Sequence, residues 1–402
     1  MTQQADLLLY VQHLLGIGHL KRAALIARAA SAQGLTVVVA TGGLPVADAD
    51  FGEAEVVQLT PALRTLDQDF SGLVSDSGQA ADEAMKETRR AQLRALFEER
   101  RPRVLLTEMF PFGRRQMRFE LIPLLQAAEV APWKPVIAAS VRDILTTLKQ
   151  PGKIAWIVET AQRYYHQILV HGDPRLIPFE RTFPQAVGLA DRISYTGYVV
   201  DSALPERHYD PDGPILVSTG GGAVAEPLVR AVLEAYLSSP LKDRPWRVLI
   251  GHNLPEPAFQ ALKAAAPSGL TVERSRPDFL TLLSEAGLSI SQAGYNTSLE
   301  VLAAGVPAVV VPFAAGGESE QSLRAQLLAE AGWLVSLPEA GLTGERLNDA
   351  MGRALALARS PVADPGLSDG SPPVDLRFSL AGAEETARQL ARLAATPIEE
   401  RH

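Results

Sequence analysis

The chain has 402 residues, of which 47% are hydrophobic and 21% charged, with a formal net charge of −8 and no cysteine. That length predicts two domains of ordinary size rather than one core, and the acidic balance argues against a nucleic-acid partner. The lack of cysteine excludes disulfides, thiolate metal sites and a cysteine nucleophile. The N-terminal stretch has no basic leader, and Gln12 and His13 interrupt its apolar run, so no signal peptide is predicted. No apolar run reaches about 18 residues, so no membrane span is predicted and the cytoplasm is the default location.

In chain order, residues 7–11 read as a strand, followed by the loop Leu15-Gly16-Ile17-Gly18-His19 and a helix over about 20–33. Gly34 ends that helix, and 35–40 form a second strand, so the chain opens on a βαβ unit. Further strands are predicted at 56–59, 104–107, 135–140 and 167–171. Residues 83–101 are highly charged with apolar positions at helical spacing, which predicts a solvated amphipathic helix. The polar, proline-bearing stretch 201–214 reads as a linker.

A second βα series begins with a strand at 215–218, the glycines Gly220-Gly221-Gly222 and a helix over about 224–237. Strands follow at 247–250 and, more weakly, at 270–273. Residues 288–290 form a short strand broken at Gly294, 297–304 have a helical composition, and Gly305-Val306-Pro307 stops that helix. The apolar run 308–313 reads as a buried parallel strand, 360–373 as a loop and 380–394 as a last helix. Two successive βα halves predict two doubly wound domains, with ligands beyond the carboxyl ends of the strands.

Several loops carry chemistry. Gly220–Gly222 follow a strand and open a helix, where backbone amides and the helix N-terminus suit an anion; a ligand-free tight turn is the alternative. The same residues match G-x-G-x-x-A, yet the next strand ends Ile250-Gly251-His252-Asn253, without the ribose-binding acid, so NAD is not expected. Gly16-x-Gly18 lacks a third glycine, where Lys21 stands, and Gly152-Lys153 is followed by Ile154, so no Walker A loop is present. His19, directly after a glycine loop, suits a general base, against a ring that only bonds the loop backbone. Glu300 closes a Thr297-x-x-Glu300 pattern that fits a capping box. The stretch Glu108-Met109-Phe110-Pro111-Phe112-Gly113-Arg114-Arg115 suits acceptor binding or an ordinary surface loop. Arg142 and Asp143 lie at another strand end, with a structural ion pair as their alternative. The D-x-D tripeptides at 48–50, 67–69 and 210–212 occur at chance level for an acidic chain, and no metal site is read from them.

The run Ser218-Thr219-Gly220-Gly221-Gly222-Ala223, then Ser291-Gln292-Ala293-Gly294 through Glu300, resembles the nucleotide-sugar domain of GT-B glycosyltransferases of the MurG type. The later runs Ala304-Gly305-Val306-Pro307, Val311-Pro312-Phe313 and Glu320-Gln321 continue that likeness, and Gly16-Ile17-Gly18-His19 is similar to the family's first loop. The resemblance implies two Rossmann-like domains facing across a cleft. Residues 1–200 would bind the acceptor, 201–375 the nucleotide sugar, and 376–402 would form a helix returning to the first domain.

Carried over residue by residue, the resemblance implies that Ser218, Gly220, Gly221 and Gly222 hold a diphosphate and Glu300 the ribose. Gly294, Asn296 and Thr297 would line the phosphate pocket, Arg274 would sit near the base, and Glu320 and Gln321 near the donor sugar. His19 would be catalytic, in the loop of Gly16 and Gly18 on the acceptor side; Glu108, Phe110, Arg114, Arg142 and Asp143 are placed on that side by their strand-end positions alone. The chain departs from the family pattern at Ile17, Lys21, Thr196–Val200, Glu320 and Arg324, which speaks against the peptidoglycan lipid as acceptor. The activity implied is inverting transfer from a nucleoside diphosphate sugar, with a bias to uridine, to an acceptor that is a small molecule or lipid-linked. No metal or other cofactor is implied, and peripheral contact with the inner membrane face is allowed. The alternatives are a nucleotide-sugar 2-epimerase of the same architecture and a catalytically silent nucleotide-binding scaffold.

Overall fold

The computed structural model describes residues 4–14, 16–47, 49–65, 72–145, 150–201, 210–221, 224–313, 320–358 and 379–400. The chain divides into two compact units, Met1–Val200 with Phe378–His402, and Asp201–Arg377. Among the described residues no helix is long and apolar enough to cross a membrane.

The first unit runs β1 (Leu7–Val11), α1 (Gly18–Ala32), β2 (Val37–Thr41), β3 (Glu55–Gln58), the short antiparallel pair β4 (Leu63–Arg64) and β5 (Val74–Ser75), and α2 (Glu83–Arg100). It continues with β6 (Val104–Glu108), α3 (Arg118–Val130), β7 (Val136–Arg142), α4 (Pro151–Tyr164), β8 (Gln167–His171) and β9 (Ile193–Tyr195). Seven strands make a parallel sheet in the order β3-β2-β1-β6-β7-β8-β9. The continuous apolar run of β1 is buried throughout because helices cover both faces. Leu8 and Tyr10 join the core that includes Phe97 and Leu121, while Leu7, Leu9 and Val11 join the one that includes Ala23 and Leu390, as period-two alternation requires.

α2 starts where Asp82 Oδ1 accepts the Met85 amide at 2.8 Å, and it ends in the left-handed Arg101. The charged composition of this helix predicts solvation, but Arg89 is fully buried. Its Nε and Nη2 donate to the two Glu120 carboxylate oxygens at 2.9 and 2.7 Å, and Nη1 donates to the Gly42 carbonyl at 2.8 Å. A guanidinium is tolerated there because its donors meet acceptors in a matching fork.

The second unit runs β10 (Ile215–Ser218), α5 (Glu226–Ser238), β11 (Trp246–Ile250), α6 (Glu256–Ala264), β12 (Leu270–Arg274), α7 (Phe279–Ser284) and β13 (Leu288–Ser291). It ends with α8 (Tyr295–Ala304), β14 (Ala308–Val310), α9 (Glu320–Glu330), β15 (Val335–Ser336) and α10 (Gly344–Ala358). Its parallel sheet has the order β12-β11-β10-β13-β14-β15, the 3-2-1-4-5-6 winding of a dinucleotide fold. α11 (Gly382–Ala395) then packs against α1 in the first unit. Ala383, Ala387, Leu390 and Ala394 bury its inner face.

Two sequence expectations change here. The helix after β13 begins at Tyr295 with Gly294 as its N-cap, so Thr297 is not a cap and the capping-box reading of Glu300 fails. The strand expected over 308–313 is regular only to Val310. Most of the linker, the loop 360–373, Gly222, Asp48 and the tripeptide 67–69 lie outside the described residues.

Candidate functional site

Each sheet reverses its winding at one point, between β1 and β6 in the first unit and between β10 and β13 in the second. Loops at the carboxyl ends of such strand pairs diverge and leave a crevice. Gly16, Gly18, His19 and Glu108 lie beside β1 or β6, and Ser218, Gly220, Gly221, Gly294, Asn296 and Thr297 beside β10 or β13.

In the second unit Ser218 and Ser291 are register partners at the ends of β10 and β13. Gly220 has φ +56°, a left-handed conformation that favours glycine, and Gly220 and Gly221 are both exposed. Gln292 links the two loops, donating from Nε2 to the Val224 carbonyl at 3.1 Å. A Cβ at Gly251 would lie 2.2 Å from the Gly220 carbonyl oxygen, so β11 ends in contact with the glycine loop backbone. The two helix starts differ in charge. α5 carries Glu226 in its first turn, whereas α8 has no acid there and no side-chain cap. Its first amides are therefore the better anion donors, and they belong to Tyr295, Asn296 and Thr297. Asn296, Thr297 and Glu300 are half-buried on that helix.

Three donor-side expectations are modified. Glu320 is buried and its Oε1 accepts from Arg324 Nη1 at 3.1 Å, so its carboxylate is held within the unit. The guanidinium of Arg324, where the family pattern has asparagine, lies 5.2 Å from the Tyr295 ring centre, which ties α9 to the start of α8. Gln321 Oε1 accepts the Phe313 amide at 3.1 Å. Arg274 stacks 4.0 Å over Phe259, and it donates to the Gly251 carbonyl at 3.0 Å and to Glu256 at 2.5 Å, so it braces the loop after β11.

In the first unit His19 sits in the first turn of α1, its side chain 13% exposed, above Glu108 at 2%. Glu108 is the last residue of β6. His19 Nδ1 lies 2.9 Å from Glu108 Oε1, and Arg22, one turn along α1, pairs with the same oxygen. Ser140, the register partner of Glu108 on β7, donates to Oε2. Burial disfavours the Glu108 charge, yet Arg22 and the His19 hydrogen bond outweigh it, and the carboxyl sits well below its usual range. Burial and the charge of Arg114 hold His19 well below its ordinary value, against the pull of Glu108. Burial and neighbouring Arg142 bring Arg114 down to about 10, and its Nε donates to the Gln12 carbonyl at 3.0 Å.

The acceptor-side expectations divide. Arg114 lies in the loop after β6 and Arg142 ends the neighbouring β7, both half-buried. Glu108 faces His19 and Arg22 and acts on them. Phe110 is core, fully buried with Trp156 edge-on at 5.8 Å. Asp143 is buried and accepts the Ile144 amide at 2.9 Å, bracing its own loop. Gly16 is not forced by space, since a Cβ there would meet nothing within 4 Å, and Gly18 is the first residue of α1. Sequence reasoning missed Arg22, Ser140, His171 and Thr196 as site residues. The signal available was position, since Glu108, Ser140, His171 and Thr196 stand at or near the ends of four consecutive parallel strands.

A family model matches the part of the chain that builds the second unit's sheet. Residues 215–361 match the model of the glycosyltransferase family 28 C-terminal domain. Two curated relatives of this family 28 segment are UDP-N-acetylglucosamine–N-acetylmuramyl-(pentapeptide) pyrophosphoryl-undecaprenol N-acetylglucosamine transferases. The protein from Exiguobacterium sp. is 34% identical over 160 residues, 39% of this chain and 43% of the relative. That from Chromobacterium violaceum is 33% identical over 180 residues, 40% of this chain and 49% of the relative. The chain thus spans about half the length of these curated relatives. Solved structures extend the likeness in fold to nearly the whole chain. A UDP-glucosyltransferase from Polygonum tinctorium superposes with TM-score 0.60 at 15% identity, covering 99% of this chain and 100% of that one. MurG from Acinetobacter baumannii gives 0.52 at 18%, covering 88% and 94%. The fold is that of the GT-B glycosyltransferases, with two Rossmann-like units.

Proposed function

We propose that the chain is a glycosyltransferase that moves a sugar from a nucleoside diphosphate, with uridine favoured, to a hydroxyl acceptor. The observation that carries this reading is the coincidence of the family 28 match with the switch-point crevice of the second unit. There the glycine loop and the uncapped start of α8 offer backbone donors to a diphosphate. Preference for UDP is supported by the names of the curated relatives. Their undecaprenol-linked acceptor is the basis for proposing contact with a membrane surface.

In this reading His19 removes the acceptor proton while the hydroxyl oxygen attacks the anomeric carbon. The bond to the diphosphate breaks, its electron pair leaves with the phosphate oxygen, and configuration inverts. Backbone amides stabilise the charge that develops on the leaving group, a contribution of about 10²–10³ in rate per donor in comparable sites. No metal is assigned to that task. His19, held neutral, is in the protonation state to accept a proton.

Calorimetry with UDP and a panel of UDP-sugars tests the donor assignment. The proton-transfer role is tested by His19→Ala, which is expected to bind donor normally and to lose about 10²–10⁴ in turnover. Absence of UDP-sugar binding by the intact chain would overturn the reading. Near-wild-type turnover in His19→Ala would remove His19 from it.

A further inference from the structure

A base and its carboxylate need one contact, yet here the contact continues into the sheet. Ser140 Oγ lies 2.8 Å from His171 Nε2, and His171 Nδ1 lies 2.9 Å from Thr196 Oγ1. Glu108, Ser140, His171 and Thr196 are all buried. Their hydrogens can be placed by counting. Glu108 is ionised and only accepts, so Ser140 gives its single hydrogen to Oε2. Ser140 Oγ must then accept from His171, which puts a proton on His171 Nε2. Burial and Arg22 lower His171 to about 3, so it is neutral and its Nδ1 accepts from the Thr196 hydroxyl.

At the other end Glu108 Oε1 and His19 Nδ1 are 2.9 Å apart, a separation at which two bare acceptors would repel. Arg22 Nη2 is also 3.1 Å from Nδ1, but it pairs with Oε1. The hydrogen between ring and carboxylate therefore sits on His19 Nδ1. The bonds from His171 to Ser140 and from Ser140 to Glu108 both donate toward Glu108, and neither can reverse without protonating Glu108 or leaving Ser140 without a donor; the Thr196 hydroxyl, which also has the Gly197 carbonyl at 3.1 Å, supports the far end.

We propose that Ser140, His171 and Thr196 are positioning residues that lock Glu108 and thereby hold His19 as its Nδ1–H tautomer, with Nε2 as the proton-accepting atom. The catalytic consequence rests on the reading of His19 as the base; the tautomer does not. Among the described residues, the charged groups facing His19 include Glu108 from β6, Arg22 from α1 and Arg114 from the loop after β6, and those facing His171 include Arg22 and Glu108. Without the Ser140 hydrogen, Glu108 is free to turn both oxygens toward Arg22 and release the ring.

The test is nitrogen-15 NMR of the intact, substrate-free chain carrying labelled histidine at neutral pH, which distinguishes protonated from bare ring nitrogens. The wild type is expected to show His19 as Nδ1–H and His171 as Nε2–H. In Ser140→Ala both His19 nitrogens should move toward tautomer-averaged positions, and Ser140→Thr, which keeps the hydroxyl, should restore the wild-type pattern. Thr196→Val keeps the side-chain shape and reads the far end, where the His171 Nδ1 resonance should shift on losing its hydrogen-bond donor while Nε2 stays protonated. If Ser140→Ala does not fold, this second variant decides. A wild-type His19 protonated on Nε2 overturns the proposal, as does an unchanged His19 in folded Ser140→Ala or an unchanged His171 in Thr196→Val. A fixed Nδ1–H tautomer in a chain without transferase activity would sink the proposed function and leave this inference standing.

Discussion

Gly251→Ala tests the donor loop from a residue that need not touch the donor. Gly251 follows β11, and a Cβ there would lie 2.2 Å from both Gly220 O and Gly221 C and 2.3 Å from Gly221 O. Ordinary contact begins near 3.4 Å, so the loop has to withdraw by about 3.4 − 2.2 = 1.2 Å. All three atoms are backbone, and no side-chain rotation relieves the clash. The loop is also tied in place, because the Asn253 amide donates to Gly221 O at 3.1 Å and the Gly251 amide to Thr219 Oγ1 at 3.3 Å. Overpacking of this kind costs about 1–3 kcal/mol, read as a lower urea midpoint. A shift near 1.2 Å also takes the loop amides out of the ~2.7–3.2 Å range in which they bond a phosphate oxygen. UDP affinity by calorimetry is then expected to fall at least about tenfold, or ~1.4 kcal/mol. Wild-type affinity alongside the stability loss would remove this loop from the donor site. Unchanged stability would refute the packing argument itself.

Glu300→Ala is expected to weaken UDP-sugar binding by about tenfold or more, a larger effect than its loss of stability in urea melts. Equal affinity in the variant would end the ribose assignment. Glu120→Gln should cost about 3–5 kcal/mol in urea unfolding, because it leaves the buried Arg89 charge uncompensated; a loss below about 1 kcal/mol would contradict that. His171 has an ordinary value of 6.5 and is lowered to about 3 in the fold, so between those pH values the unfolded state holds a proton that the folded state lacks. Its contribution is complete above about 6.5 and is lost as pH falls toward 3, at about 1.4 kcal/mol per pH unit. His171→Gln should remove that slope from urea melts taken between about pH 7 and pH 5, whereas an unchanged slope would refute it.

The sheet strands other than β9 and β15, and the glycine loop after β10, were legible because buried parallel strands read as apolar runs and glycines mark turns. Periodicity could not show that Arg89 is buried, since its partners Glu120 and Gly42 come from distant segments. It likewise misread Thr297-x-x-Glu300, whose spacing fits a cap while the helix begins at Tyr295. His19 could be singled out by its loop, but its partner Glu108 is 89 positions away and reaches it only through the β1–β6 pairing. Ser140, His171 and Thr196 are ordinary residues in a linear reading. They become a chain only once β6, β7, β8 and β9 lie in sequence order across the sheet.

The position of α11 bears on how the protein is made. Tyr198 N donates to Ser379 O at 2.8 Å, Gly382 N to Tyr198 O at 3.0 Å, and Val199 bridges Ala381, so the chain leaves the first unit and re-enters it at one point. A Cβ at Gly382 would lie 2.5 Å from Tyr198 C, and the two passing segments touch backbone to backbone. Residues 201–377, that is 377 − 200 = 177 positions, therefore emerge from the ribosome between the first unit and its closing helix. At ~5–20 residues per second that interval is roughly 9–35 s. Through it the face of α1 that receives Ala387, Leu390 and Ala394 stands uncovered on the nascent chain. The first unit is thus completed only after the second has emerged, and until then it carries an apolar stripe of the kind that makes a partly folded chain prone to aggregate.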